Sequence, residues 1–581
     1  MTTTAPPTEP AAPPMPTVHP ATPHAEIDAA LATLAINRGL WVELPLRERL
    51  RLVDKLERGF TEVADRWVAA CRVAEDTAHL PRYGGEEWLA GPYLVLRNLR
   101  LLRRSLKDLK NHGRIRIPGG VRRLPNGQTA AQVVPVDWSD RVFFPGVTAE
   151  VWMEPGVTPE TLDETMAVRY RQPDEGGVAL VLGAGNVSSI GPMDALYKLF
   201  VDQRVVLYKT HPVNEYLGPL MEEAFAALAD RGFFRLVYGG AEEGAYLTRH
   251  HQVDEIHVTG SDRTYEAIVF GTGPEGERRK RERRPALDKP VTAELGNVSP
   301  VIVVPGPWTE ADLAYQAENV VSMLANNAGF NCNAARVVIQ HREWPLRSRL
   351  LDGMREVLGR VPLRSAYYPG ASLRFDTLAA AHPELERFGE PEPGQLPWAL
   401  GVDIDPTDRE HPFFRTEAFC SLFGETALSA ASPAEFVDRA VEMANDTLWG
   451  TLNATLLVHP ASLEDPATRE AVERAVEQLR YGTVTINCWA AVGYGLGTTT
   501  WGAFPGHEPW DVQSGTGLVH NTLMFSKAQK SVVRSPFRAF PKPPWFVTHE
   551  TGTDLARELT RFEADRSLWR LPAVTWFALR G

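Results

Sequence analysis

Glu294, in Ala-Glu-Leu-Gly-Asn, stands 38 residues before Cys332, in Asn-Ala-Gly-Phe-Asn-Cys-Asn-Ala-Ala-Arg. A thiolate attacks electrophilic carbon, and a separate carboxylate can take a proton from water. The pair therefore suggests covalent catalysis followed by hydrolysis of the adduct. A cysteine without such company is ordinary core packing. The other three, Cys71, Cys420 and Cys488, have no paired spacing, so neither a disulfide framework nor a metal site is expected. A thiol that must stay unoxidised belongs in a reducing compartment.

These two residues need elements that bring them face to face. From Val178 short β-branched runs alternate with longer amphipathic stretches. Strands are expected at 178–182, 205–208, 234–238 and 254–258, with helices at 192–202, at 215–230 and after Ala241. Such alternation reads as a parallel sheet covered by helices on both faces, with ligands bound beyond the carboxyl ends of the strands. Gly185 and Asn186 follow the first strand, Lys209 the second, Gly239 the third, and Gly260 with Ser261 the fourth. A second unit of the same kind starts with a strand at 298–304, a helix around 312–326 and a strand at 336–340. The expected fold is α/β, with two doubly wound Rossmann-like domains and a hinge near 294–297 that places Glu294 at their cleft.

Composition sets bounds. A chain of 581 residues exceeds one core. Hydrophobic content of 44% and charged content of 23% are those of a globular protein. A formal charge of −12 argues against nucleic acid as a partner. The first 24 residues hold eight prolines and lack a secretory pattern, so they are expected to be a disordered arm. No apolar stretch approaches the length of a bilayer span, and a cytoplasmic protein is expected.

The surroundings of Cys332 and Glu294 resemble those of the aldehyde dehydrogenase superfamily, and further matches keep the family's order: Gly-Asn-Val at 185–187, Val-Val-Leu-Tyr-Lys at 205–209, Val-Thr-Gly-Ser at 258–261, Glu-Ala-Phe at 417–419 and Gly-Thr-Val-Thr-Ile-Asn at 482–487. The resemblance covers roughly residues 25–535 and implies oxidation of an aldehyde to a carboxylic acid with NAD or NADP. It assigns Cys332 as nucleophile, Glu294 as the base for water, and Asn186 with the Cys332 N–H as oxyanion donors. It assigns Lys209, Gly239, Gly260, Ser261, Glu417 and Phe419 to the cofactor, Lys209 and Glu417 through its two riboses. The implied domains are a cofactor domain over 25–293, interrupted by an oligomerisation β-hairpin at about 129–153, a catalytic domain over 294–490, and a pocket-lining and oligomerisation segment over 491–535. An extension of unassigned role covers 536–581. In the resembled family the hairpin and a late strand, here 521–533, join across subunits, so a homo-oligomer, dimer or tetramer, is expected.

Each assignment has a plainer alternative: Asn186 as a helix cap, Glu294 as a hinge ion pair, Lys209 as a solvated lysine. The chain also departs from the family pattern. Ala184-Gly185-Asn186 replaces a bulkier Pro-Trp-Asn and is closer to the turn of acyl-CoA reductases, which keeps a CoA-acylating reaction open, as does a silent scaffold of the same fold. Pro212 stands where NAD-preferring members often carry glutamate. Asn297 and Tyr265 replace small residues and are expected to narrow the cofactor path. The basic run 275–284 reads as an exposed loop. Trp489, Tyr494, Trp501, Phe504 and Trp510 suit a substrate entrance or a subunit interface.

Overall fold

The computed structural model describes residues 19–581. Most of the arm expected at 1–24 lies outside the described residues, and a helix, His24–Val42, already begins at its last residue.

Among the described residues the strands form two sheets. The six-stranded sheet runs in the order Gly515–Thr516, Val291–Leu295, Glu255–Gly260, Val178–Leu182, Val205–Lys209, Phe234–Val237. All its pairings are parallel except that of Gly515–Thr516. Its central strands Val178–Leu182 and Val205–Lys209 are runs rich in Val and Leu buried on both faces, as a helix-covered parallel sheet requires. The eleven-stranded sheet centres on Asn453–Leu457, Pro300–Val303, Val337–His341 and Leu422–Leu428, which pair in parallel. The two doubly wound units are thus present. Helices Ile190–Phe200, Ala241–Arg249 and Glu310–Ala325 fall where the sequence pattern puts them. The stretch 215–230 is not one helix. It is a 3₁₀ turn, Glu215–Leu217, followed by Gly218–Ala224 and Ala226–Ala229.

The hairpin forms with a helix, Trp138–Phe143, between its arms Thr129–Val134 and Thr148–Met153. Within the chain its partner is the late strand. Thr148–Met153 pairs antiparallel with Ala528–Arg534 of the same chain, and that strand pairs in parallel with Thr483–Ile486. Hairpin and late strand therefore complete the chain's own sheet. The run 275–284 is corrected: most of it is helix Gly273–Arg281, exposed as expected but helical, because Arg278 and Arg279 reach Glu275 at 2.7 and 3.0 Å across one turn. No helix among the described residues is long and apolar enough to cross a membrane.

Lys530, inside the late strand, is buried, and its Nζ donates to the carbonyls of Val476, Glu477 and Leu479 at 3.0, 2.9 and 2.6 Å. These are the last carbonyls of helix Pro466–Gln478, which otherwise lack partners and carry the negative end of the helix dipole. Lys530→Met is expected to leave them dry and unpaired, lowering stability by about 1–3 kcal/mol in urea unfolding. An unchanged midpoint would show that the ammonium contributes nothing to joining strand and helix.

Candidate active site

The chain crosses from one sheet to the other directly after Glu294. Strand Val291–Leu295 belongs to the six-stranded sheet, and after 296–299 the chain enters Pro300–Val303 of the other. Glu294 is therefore carried on a rigid strand end and is only 4% exposed. One donor meets its carboxylate, Trp501 Nε1 at 2.9 Å from Oε1. Burial pushes its pKa up to about 7, against the opposing pull of Trp501 and of the Cys332 thiol, with which it interacts directly. The thiol in turn is pushed well above its ordinary value by burial first and by the Glu294 charge second. The two residues that the sequence separates by 38 positions are thus neighbours.

Cys332 sits on a loop whose shape is set by three successive left-handed residues, Asn327, Ala328 and Gly329, at φ of 52, 52 and 82°. Asn and Ala there cost about 1–2 kcal/mol each, so the surroundings must enforce the turn. Arg336, fully enclosed, donates to the carbonyls of Gly329 and Cys420, the latter at 2.9 Å. The Asn327 N–H donates to Glu86 at 2.8 Å, and Glu86 is held by Arg364 at 2.6 Å. A side chain at Gly329 would place its Cβ 2.2 Å from the Cys420 carbonyl oxygen, so only glycine lets the loop lie this close. On the other side, the Cys332 carbonyl accepts from Asn453 Nδ2 at 3.2 Å and lies 3.5 Å from the Ser299 hydroxyl.

Asn297 completes that network, and here the expectation that it narrows the cofactor path fails. It is fully buried, donates to the Asn453 carbonyl at 3.0 Å and accepts from Ser299 at 2.8 Å and Asn453 at 3.1 Å. Tyr265 also points elsewhere, packing with Val258, Val269, Leu295 and Val512 in a satellite core. The side expected to lack a bulky wall is filled by the His211 ring, which packs against Gly185 and stacks on Tyr368 at 6.0 Å.

Asn186 does not cap the following helix. Its Nδ2 donates to the Phe330 carbonyl at 2.9 Å, while its own carbonyl accepts from Asn327 Nδ2 at 2.9 Å. The amide is thereby held beside the Cys332 loop with one of its two N–H bonds committed. Lys209 is not a solvated lysine either. It is 6% exposed, its Nζ donates to the Thr210 carbonyl at 3.2 Å, and burial lowers its pKa to about 8.

Lys209, Gly239, Gly260 and Ser261 lie at or just after the carboxyl ends of three parallel strands of one sheet, Val205–Lys209, Phe234–Val237 and Glu255–Gly260, with Val178–Leu182 between the first and the last. A Cβ on Gly260 would meet only Val258 Cγ2, in ordinary contact at 3.8 Å, and Ser261 caps helix Asp262–Val269, its Oγ accepting from the Thr264 N–H at 3.2 Å. Glu417 reaches the same cleft from the other sheet. Burial pushes its carboxyl up to about 8, Oε1 has no partner, and Oε2 lies where a Cβ on Gly296 would fall, at 1.9 Å. Phe419, at φ 40°, sits 4.9 Å from the Tyr368 ring and 6.0 Å from Phe330. A buried acid with a spare oxygen, a buried ammonium and an open glycine turn at a helix start suit the hydroxyls and phosphates of a dinucleotide.

Trp501, Arg336, Ser299, Asn453, Asn327 and Glu86 are the positioning residues that sequence reasoning did not assign. Polar residues inside runs otherwise fit for buried strands, as at Asn453, were the available signal.

The sequence model of the aldehyde dehydrogenase family matches residues 148–368. Aminoacetaldehyde dehydrogenase of Pseudomonas aeruginosa is 28% identical over 288 residues, 47% of this chain and 51% of that protein. The chain thus matches about half the length of such curated relatives. Among solved structures, an NADP-dependent glyceraldehyde-3-phosphate dehydrogenase of Bacillus halodurans superposes with a TM-score of 0.57 at 18% identity, covering 89% of this chain and 92% of that one. Aldehyde dehydrogenase 21 of Physcomitrella patens superposes with a TM-score of 0.60 at 13% identity, covering 88% and 91%. In its two-sheet fold, and in sequence over residues 148–368, the chain is similar to the aldehyde dehydrogenase family.

Proposed function

We propose that this protein oxidises an aldehyde to the carboxylic acid, using NAD or NADP, through a thioester on Cys332. The observation that carries this reading is the direct interaction of the Cys332 thiol with a Glu294 carboxyl whose pKa lies near 7. A base poised near the working pH is what hydrolysis of an acyl-enzyme needs, and neither a CoA-acylating reaction nor a silent scaffold needs it.

Cys332 Sγ, its proton lost to water, forms a bond to the aldehyde carbon. The oxygen of the tetrahedral adduct takes the negative charge. The uncommitted N–H of Asn186 and the Cys332 N–H are the donors for it, each of the kind whose loss costs about 100-fold or more. A dinucleotide held by Lys209, Gly239, Gly260, Ser261, Glu417 and Phe419 would supply the oxidising equivalent, accepting two electrons with the aldehyde's hydrogen. Glu294 then draws a proton from water as its oxygen adds to the thioester carbon. The C–S bond breaks, the acid departs and the sulfur is regenerated.

Cys332→Ala is expected to abolish aldehyde-dependent reduction of NAD or NADP, and equal rates in variant and wild type would show that the nucleophile is another group. Glu294→Gln removes the charge that holds the thiol protonated while removing the base. Acylation should persist, turnover should fall by about 10²–10⁴-fold, and the acyl-enzyme should be visible by intact mass. Unchanged turnover would refute its role.

The pH dependence has a definite sign. A base must be ionised to act, so turnover limited by hydrolysis should rise as pH increases through about 7. Trp501 lowers the Glu294 pKa by donating to it. Trp501→Phe should therefore move the rising limb to higher pH without removing the plateau. A shift to lower pH would contradict this account of the base.

A further inference from the structure

A cavity of about 380 Å³ opens onto Cys332, within the range of small-molecule sites. Its polar lining includes Asn186, Asn331 and Asn487 with Cys332. Most of the rest is apolar, with Leu89, Leu94, Phe143, Trp545, Leu559 and Val574 in its wall. Three of these belong to, or lie on either side of, helix Gly552–Asp565 in the segment 536–581.

That segment is fixed to the body at two places. The Trp545 carbonyl accepts from Asn326 Nδ2 at 2.9 Å, six positions before the nucleophile, and the Val547 N–H donates to Ser322 Oγ at 3.0 Å. Farther along, buried Glu563 pairs with Arg97 at 3.3 Å and Arg100 at 2.5 Å on helix Leu94–His112. Leaving either side of such a buried pair without its partner costs several kcal/mol, which holds the segment in place.

The charged residues in the wall are Glu86, Glu87 and Lys542, and none offers a bare charge. Glu86 is paired with Arg364 at 2.6 Å, and Lys542 with Glu318 at 3.2 Å. Glu87 is buried against Glu75, and burial pushes its carboxyl up. Beyond Glu294 beside the thiol, a cationic group lying along this wall would give up its water and find no free anion, whereas an alkyl or aryl chain would gain about 25 cal/mol for each Å² it buries.

We propose that residues 541–578 complete the substrate pocket of this chain and select an uncharged aldehyde with a long or bulky apolar group. The proposal rests on the oxidation reading above and adds the substrate class. It sets the chain apart from relatives named for aminoaldehydes, since propanal and aminoacetaldehyde share a shape and differ in charge.

The test compares kcat/KM for octanal, phenylacetaldehyde, propanal and aminoacetaldehyde in wild type and Val574→Trp. Octanal and phenylacetaldehyde should exceed propanal, and propanal should exceed aminoacetaldehyde, by about tenfold each. Val574→Trp, which fills the cavity, should reduce the octanal-to-propanal ratio by about tenfold or more. Aminoacetaldehyde matching propanal, or an unchanged ratio in a folded Val574→Trp, would overturn the proposal. If that variant does not fold, Leu559→Ala takes its place, with the phenylacetaldehyde-to-propanal ratio expected to rise and an unchanged ratio counting against the proposal. Calorimetric titration of octanol into Cys332→Ala separates the two readings. Saturable binding that Val574→Trp abolishes, with no aldehyde oxidised by wild type, would retain the apolar site and reject oxidation. Absence of octanol binding would reject the site.

Discussion

The site depends on a carboxylate kept dry but not isolated. Glu294 ends a strand whose neighbours on both sides are paired, so it cannot swing out to water. Desolvation alone would hold it protonated, and several donors would make it an ordinary acid too weak as a base. One indole N–H lies between those limits. Trp501 can provide it because its backbone is itself fixed, N–H to the Val519 carbonyl at 3.0 Å and carbonyl from the Val519 N–H at 2.7 Å. The strand Gly515–Thr516, four residues upstream of that contact, pairs with Glu294 and Ala293. The late segment is thus bolted to the base both through its backbone and through an indole.

Cys332 is placed by the opposite means, polar side chains instead of strand pairing. A loop with three left-handed residues has no ladder to satisfy its carbonyls. Arg336 supplies a donor to Gly329, Asn453 and Ser299 supply donors to Cys332, and Asn331 supplies one to the Asn326 carbonyl. Such buried polar networks are specific because each unpaired member would cost a desolvation penalty. Asn297 shows the consequence: a residue that differs from the family pattern is not an intrusion into the cleft but a tie between the hinge and strand Asn453–Leu457.

The strands and the position of the cleft were legible because β-branched runs and helical periodicity are local. Val178–Leu182 and Val205–Lys209 need no partner information to be recognised. Cys332 and Glu294 were legible through the short strings around them. Pairing across long separations was not. Whether Ala528–Arg534 meets its own hairpin or a neighbour's is decided by register and chain path, which leave no mark in composition. The helical state of 275–281 was hidden by its charge, since a solvated loop and an exposed helix with i,i+3 and i,i+4 pairs use the same residues.

The C-terminal segment joins these two halves of the site in one physical requirement. The raised pKa of Glu294 and the high pKa of the Cys332 thiol share burial as their largest cause. Burial at this cleft is not a property of the two sheets alone, because the cavity above the thiol is walled by Trp545, Leu559 and Val574. Opening that wall would admit water to the Cys332 thiol and return it toward its ordinary range. The same apolar lining that would accept a hydrocarbon chain therefore also sets the dielectric around the sulfur. Substrate preference and thiol acidity are two readings of one desolvated volume, so a substitution in the wall that alters one moves the other.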